Sequence, residues 1–124
     1  METPKRKALT KQQRIKLWES SDKKCQYCGE NITYSQMQLD HINAIQEGGK
    51  NELENYRCAC RMCNYGKYTF SIDEFKQYIK RIPEKLIKRH FDFRIAMKYG
   101  LIEIKDKEIV FEFENKEGGI DDNY

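Results

Sequence analysis

The alternation of apolar and polar positions in the first half of the chain predicts two helices and two short strands. Thr10 and Gln13 have the spacing of a capping box, which typically begins a helix. Weak alternation with a period of two is typical of short strands. The predicted elements are a helix over residues 11–20, strands over 34–42 and 54–58, and a helix over 60–68.

The second half of the chain predicts two more helices and a β-hairpin. Ser71 and Glu74 form another capping box, and apolar residues follow at helical spacing up to Pro83, which is expected to end that helix. The next helix is expected to end at Gly100, a residue suited to a C-terminal cap. The predicted elements are helices over 71–83 and 84–99, and a hairpin with strands 101–105 and 108–114 around Asp106 and Lys107.

This order of strands followed by helices predicts an α+β fold. With 124 residues the chain is long enough for one principal core. The predicted organisation is a basic N-terminal arm and helix over residues 1–20, a core over 21–70, a helical and hairpin extension over 71–115, and an acidic tail over 116–124.

The composition excludes a membrane protein and favours a polyanionic partner. Hydrophobic residues make up 39% of the chain and charged residues 35%, and no apolar run approaches the length of a membrane helix. The first residues lack the apolar stretch of a signal peptide, so a cytoplasmic protein with reduced cysteines is predicted. The whole chain has a net charge of +3. Residues 112–124 hold five acidic side chains and one lysine, a net charge of −4, so the remaining residues carry a net charge of +7. A basic body favours nucleic acid, although a solvated surface would look the same.

Four of the five cysteines form two separated Cys-x-x-Cys pairs, which predicts a zinc site. Two such pairs supply four soft ligands for a tetrahedral ion. Buried free thiols and a redox pair are the alternatives, and the redox pair fits less well because one of the two Cys-x-x-Cys pairs does not sit in a strand–helix crossover. A site with four cysteine ligands is closed, so the zinc is expected to be structural. The ligands are Cys25, Cys28, Cys60 and Cys63, and the fifth cysteine, Cys58, is interpreted as a small buried apolar residue.

Several polar residues lie within or just after the segment between the cysteine pairs. Asp40 and His41 precede a glycine-containing loop, and Asn64 directly follows the last cysteine. Lys67 shares a helical face with Asn64. A lone histidine is more often structural than catalytic, and His90, in a basic helix, is interpreted as a surface or partly buried helix residue and not as a catalyst.

Taken together, the segment over residues 21–70 resembles the HNH endonucleases, whose core is the ββα-metal unit. The resemblance rests on Leu39-Asp40-His41-Ile42, Gly48-Gly49, Asn55, Cys60-x-x-Cys63-Asn64 and Lys67, preceded by Cys25-Gln-Tyr-Cys-Gly29. It implies a metal-dependent cleavage of DNA, most often double-stranded, with a divalent ion such as Mg²⁺ or Mn²⁺ at the active site.

The resemblance also implies a role for each signature residue. Asp40 and Asn64 match ligands of the divalent ion, and His41 matches the base that activates the attacking water. Asn55 matches the asparagine that braces the loop and orients the histidine. Lys67 matches a basic residue near the phosphate. Hard oxygen ligands suit Mg²⁺ and a neutral imidazole can accept a proton from water, so these roles are chemically consistent.

Two features leave questions for the structure. Neighbours in a regular strand face opposite sides, so Asp40 and His41 can share a site only where the strand twists or ends. Many family members have a proline shortly after the histidine, where this chain has Asn43 and Ala44. The competing interpretations are a non-catalytic zinc module that binds DNA and an RNA-directed nuclease of the same fold.

Overall fold

A computed structural model describes residues 9–42 and 53–118 of the chain, which divides into two compact units. The first unit comprises Met1–Ser71 and Val110–Tyr124, and the second comprises Ile72–Ile109. The predicted glycine loop with Gly48 and Gly49, the basic residues before position 9 and the end of the acidic tail lie outside the described residues.

The described residues form a mixture of helices and one small sheet, as the α+β prediction requires. A two-stranded antiparallel sheet is the only sheet in the described ranges. The elements are α1 (Lys11–Ser20), β1 (Gln38–His41), β2 (Tyr56–Ala59), α2 (Arg61–Lys67), α3 (Ile72–Arg89), α4 (Phe91–Lys98) and α5 (Glu112–Gly118), with short 3-10 helices at Tyr34–Gln36 and Leu53–Asn55. None of these helices is long and apolar enough to cross a membrane.

Helix α1 begins where the capping box predicts. The Thr10 hydroxyl accepts a hydrogen bond from the Gln13 backbone N–H at 3.1 Å, and the Gln13 side chain accepts one from the Thr10 N–H at 2.9 Å. Two of the N–H groups that a helix leaves unpaired at its start are thereby satisfied. Trp18 attaches the helix to the next segment, because its indole N–H donates to the carbonyl of Ile32 at 2.8 Å.

The first strand is shorter than the sequence predicts. Residues 34–36 form a 3-10 helix instead, because Thr33 and Gln36 make a reciprocal capping box that offers the backbone a local alternative to a sheet ladder. The strand then runs over Gln38–His41 and pairs with β2, with Asp40 opposite Arg57 and His41 opposite Tyr56. Helix α2 follows β2 directly and packs on β1, so the order strand, strand, helix agrees with the prediction.

Pro83 does not end a helix, contrary to the prediction. Helix α3 continues through it to Arg89. A proline removes one backbone hydrogen bond, but apolar residues recur at helical spacing on both sides of position 83, and this continuous apolar face maintains the helix. The break comes at His90, whose extended backbone separates α3 from α4.

The predicted C-terminal hairpin is wrong. Residues 101–111 contain no strand, and the residues that follow form α5. The Lys80 ammonium on α3 binds the Asp106 carboxylate at 3.2 Å and the Lys107 carbonyl at 2.9 Å, so the predicted turn is held by a helix and not by a partner strand. Alternation alone did not distinguish an extended segment that contacts a helix from a strand in a ladder.

Gly100 ends α4 as the sequence predicts, and its substitution is the first test of the fold. It has φ of +77°, its N–H donates to Met97 O at 3.0 Å, and the Leu101 N–H donates to Ala96 O at 2.9 Å, which is a Schellman cap. A Cβ at this position would meet no atom within 4 Å, so the cost of Gly100→Ala is backbone strain alone.

We expect Gly100→Ala to lower the free energy of unfolding of the second unit by about 1 kcal/mol, since an L-residue in this region costs roughly that much. Gly100→Asn is the matched control and should cost less, because asparagine tolerates the left-handed region. Urea unfolding followed by circular dichroism measures both. Equal stability of wild type and Gly100→Ala would contradict this account of the cap.

Candidate metal centre and active site

The two cysteine pairs sit in tight turns before the sheet and after it. In the first pair, Cys25 accepts a backbone hydrogen bond from Gly29 at 3.0 Å and donates one to Glu30 at 2.8 Å. In the second pair, Cys60 is the N-cap of α2, and its sulfur accepts the Cys63 N–H at 3.4 Å. Backbone N–H groups that point at sulfur are typical of sites in which the sulfur is a thiolate.

The four sulfur atoms converge on one point. The thiol groups of Cys25, Cys28, Cys60 and Cys63 all lie within 4.8 Å of one another. A zinc ion with four sulfur ligands at about 2.3 Å requires sulfur–sulfur distances of roughly 3.8 Å, and Cys28 and Cys60 lie 3.9 Å apart. The cluster therefore fits a structural zinc-type ion. Cys58 is fully buried outside the cluster, in the small apolar role predicted for it.

Without a cation, the four thiols cannot all ionise. Hydrogen bonding from Cys63 lowers the pKa of Cys25 to about 4, whereas hydrogen bonding to Cys25, followed by burial, raises the pKa of Cys63. Burial is also the main cause that raises the pKa of Cys28 to about 11. The Cys25 thiolate thus disfavours the ionisation of Cys28 and Cys63, and a divalent cation at the centre would reverse that balance by stabilising thiolates.

Gly29 allows α5 to approach the first cysteine pair. Its φ is +80°, and a Cβ there would lie 2.8 Å from the Glu112 Oε1 atom. The backbone of the same helix end binds the cysteine turn, because the Glu112 N–H donates to Tyr27 O at 3.0 Å and the Phe113 N–H to Gln26 O at 2.9 Å. The C-terminal segment therefore belongs to the same unit as the metal centre.

Asp40 lies at the centre of a buried polar cluster. Its Oδ2 accepts a hydrogen bond from the Tyr27 hydroxyl and pairs with the Lys67 ammonium at 3.2 Å. The side chains of Lys67 and Asp40 are only 1% and 5% exposed, so this ion pair is shielded from solvent. Lys67 also donates to the carbonyl of His41 at 3.2 Å, and it thereby binds both residues of the predicted Asp–His pair.

Tyr27 is the residue that sequence reasoning missed. It lies between the two cysteines of the first pair, and its ring packs edge-on against Phe111 and Phe113, with centroids 5.2 and 6.2 Å away. Burial, and next the charge of Asp40, raise the pKa of Tyr27, so its hydroxyl stays protonated as a donor. Its position inside the cysteine pair was visible in the sequence, but nothing there indicated that it would reach Asp40.

His41 is the last residue of β1, so the strand ends at the position where the sequence analysis requires it to twist or end. The strand ends there and Ile42 bends away, while the Asp40 side chain points inward to Tyr27 and Lys67. The His41 ring contacts the ring of its cross-strand partner Tyr56 at 4.6 Å between centroids. The backbone carbonyl of Asn55 accepts the Ile42 N–H at 2.7 Å, a contact that does not involve the asparagine side chain.

Asn64 and Lys67 lie on α2, one turn apart, with different environments. Asn64 is half-buried and lines an open cleft, whereas Lys67 is buried beneath the sheet. Lys67 was predicted near the phosphate, but the structure places its ammonium against Asp40 and His41. Among the predicted site residues, Lys67 therefore contacts both the Asp40 carboxylate and the His41 backbone. The Asn55 backbone contacts the Ile42 backbone.

A second cation lies near this cluster. The Arg57 guanidinium stacks over the Phe113 ring at 3.7 Å, and its Nη1 atom is buried with no hydrogen-bond partner in the structure. Arg57 is opposite Asp40 in the sheet and also faces the Tyr27 ring at 6.0 Å. Two cations, Arg57 and Lys67, therefore lie near the buried Asp40 carboxylate.

Comparison with known proteins agrees with this geometry. Residues 25–70 match the protein-family model of the HNH endonucleases. The match begins at the first zinc cysteine and ends just after α2, so it spans both cysteine pairs, the two strands and the helix. The segment over residues 25–70 is therefore similar to the HNH endonucleases, and this match confirms the resemblance of that segment. The search of curated proteins found no match to the chain.

The first prediction for this site concerns the metal. The purified protein should contain about one zinc per chain, and Cys60→Ser should lose that zinc and the tertiary structure of the first unit, because metal binding and folding are coupled. Cys58→Ala is the matched control, since Cys58 is buried in the same strand region but lies outside the cluster, and it should retain zinc. Elemental analysis and near-ultraviolet circular dichroism test both. A folded Cys60→Ser protein with full zinc would exclude this ligand set.

The second prediction concerns the buried ion pair. Lys67→Met should lower the free energy of unfolding by about 3–5 kcal/mol, because it leaves the Asp40 carboxylate buried without its cation. Asp40→Asn in the same chain should recover part of that loss, since a neutral amide has no charge to compensate. Urea unfolding of wild type, both single variants and the double variant gives the coupling energy. Simple additivity of the two losses would show that the pair contributes no coupling.

Proposed function

We propose that this chain is a metal-dependent endonuclease that hydrolyses phosphodiester bonds in DNA. The observation that carries the proposal is the position of Asp40 and His41 at the end of β1, linked through Lys67 to α2, inside the segment that matches the HNH endonucleases. The net charge of +7 outside the last thirteen residues supports a polyanionic substrate. In this proposal Asp40 and Asn64 hold the catalytic divalent ion and His41 is the general base.

The residues fit a hard divalent ion such as Mg²⁺ or Mn²⁺. Among the described residues Tyr27 and Lys67 both contact Oδ2 of Asp40, so in this proposal Oδ1 would bind the ion and the Asn64 amide would supply a second oxygen from α2. When bound, such an ion stabilises the negative charge that develops on the phosphate and its leaving oxygen. The zinc cluster has a different role, because four sulfur ligands leave no position for water or substrate.

His41 removes a proton from the attacking water in this proposal. A neutral imidazole accepts that proton near neutral pH, and the water oxygen then forms its bond to phosphorus as the bond to the leaving oxygen breaks. The backbone contact from Lys67 and the ring contact with Tyr56 hold His41 in place. In this proposal Asn55 braces the loop after His41, and the hydrogen bond from the Ile42 N–H to the Asn55 carbonyl supports its location beside that loop.

Lys67 and Tyr27 act as positioning residues and not as contacts to substrate. A 1% exposed ammonium has no access to a phosphate, but it fixes Asp40 and the His41 carbonyl in one arrangement. The Tyr27 hydroxyl supplies the second contact to the same carboxylate oxygen. Catalysis depends on such preorganisation, because misplaced groups lose much of their effect on the rate.

The decisive test uses the two histidines of the chain as a matched pair. His41→Ala should reduce the rate of plasmid cleavage by about 10²–10⁴-fold, the usual contribution of a general base, while zinc content and DNA affinity stay near wild type. His90→Ala should cleave like wild type, since His90 is exposed at the start of α4. EDTA should stop cleavage by wild type, and excess Mg²⁺ or Mn²⁺ should restore it.

Each other outcome has a definite meaning. Cleavage by folded His41→Ala at the wild-type rate removes the histidine from the mechanism. Binding of plasmid by wild type without any cleavage under these metals supports a non-catalytic DNA-binding module. Cleavage of RNA but not DNA retains the mechanism and changes the substrate.

A further inference from the structure

The outward face of α2 carries side chains that neither the zinc cluster nor the buried ion pair uses. Arg61, Asn64 and Tyr65 are three and four residues apart, so they share one face of the helix. Tyr65 is 87% exposed and its neighbour Met62 is 83% exposed. Tyr65 therefore presents a large aromatic ring to solvent directly beside Asn64, the proposed metal ligand.

These side chains line an open cleft beside β1. The cleft has a volume of about 560 Å³ and is bounded by Gln38, Arg61, Met62, Asn64 and Tyr65. Asn64 therefore belongs both to this cleft and to the proposed catalytic group. A substrate whose phosphate reaches Asn64 places its neighbouring nucleotide in the cleft, and Arg61 supplies a cation for the adjoining backbone phosphate.

The chemistry of the cleft matches a nucleobase better than a duplex groove. An aromatic ring stacks on any base, and Arg and amide side chains add contacts to phosphate and base edges. In a double helix the faces of the bases are covered by their neighbours, so a ring on a protein surface reaches them only when a base is unstacked. Gln38 provides an amide donor and acceptor at the opposite wall.

We propose that this cleft binds an unstacked base of a DNA strand, with the base face on the Tyr65 ring and the adjoining phosphate at Arg61. The preferred substrate is then single-stranded DNA or duplex with locally unpaired bases beside the cleaved bond. This inference rests on the proposed nuclease function, because the cleft is placed by its continuity with Asn64.

The experiment compares a fluorescein-labelled 20-nucleotide single strand with the same strand in a fully paired duplex, with no Mg²⁺ or Mn²⁺ added. Tyr65→Leu removes the ring but retains an apolar helix-forming side chain, and it should weaken binding to the single strand about five- to hundredfold with little change for the duplex. Tyr65→Phe retains the ring and should bind like wild type. Tyr68→Leu is the control for position: Tyr68 is 72% exposed and packs edge-on against Phe70, but it does not line the cleft.

Fluorescence anisotropy gives the affinities, and circular dichroism verifies that each variant is folded. Unchanged affinity of Tyr65→Leu for the single strand overturns the inference, and so does an equal loss for both DNA forms. Loss of single-strand binding in Tyr65→Phe also overturns it, because the ring is then not the binding group. In each case plasmid cleavage by wild type leaves the proposed function standing. If wild type neither binds nor cleaves DNA, the proposed function fails together with this inference.

Discussion

The convergence of four sulfur atoms is the constraint on which the first unit depends. One cysteine pair precedes β1 and the other caps α2, so an ion at the cluster fixes both ends of the strand–strand–helix segment. The described core of this unit is small and contains no buried leucine or valine. Its buried apolar residues are Cys25, Tyr27, Ile32, Met37, Tyr56, Cys58, Ala59, Cys60 and Phe111. So small a core supplies little net stability, and an ion bound at the cluster would add to it, because metal binding and folding are coupled.

Tyr27 connects that constraint to the proposed chemistry. Its backbone belongs to the first cysteine turn, its ring packs between that turn and Phe111, and its hydroxyl ends on Asp40. The Tyr27 side chain therefore links the cysteine turn, which a bound metal would hold in place, to the Asp40 carboxylate. These contacts also explain why the C-terminal segment belongs to the first unit. Phe111 and Phe113 pack edge-on against the Tyr27 ring, and the Arg57 guanidinium stacks over the Phe113 ring.

Short sequence motifs correctly predicted those features of the structure that depend on interactions between residues close together in the chain or on ligand chemistry. The capping box at Thr10, the left-handed cap at Gly100 and the cysteine cluster follow from short-range hydrogen bonds and ligand chemistry, and each appears in the structure. The errors at Pro83 and at the predicted hairpin arise where packing decides: a continuous apolar face carries α3 through its proline, and Lys80 binds the segment that alternation assigned to a strand. The family resemblance supplied the roles of Asp40, His41 and Asn64, which periodicity could not, and the contact between Tyr27 and Asp40 joins residues that no spacing rule connects.

Helix α2 shows how one short element serves two purposes. Cys60 and Cys63 belong to the metal cluster and Lys67 binds Asp40, while Arg61, Asn64 and Tyr65 line the cleft. A helix turns by 100° per residue, so the register that puts two sulfurs on the ion also fixes the direction in which Asn64 points. Shifting that register by one residue would separate Lys67 from Asp40 and rotate Asn64 out of its cleft. A structural ion at the cluster would thus matter to the proposed function even without an open ligand position, because it would set the rotation of the helix that lines the cleft.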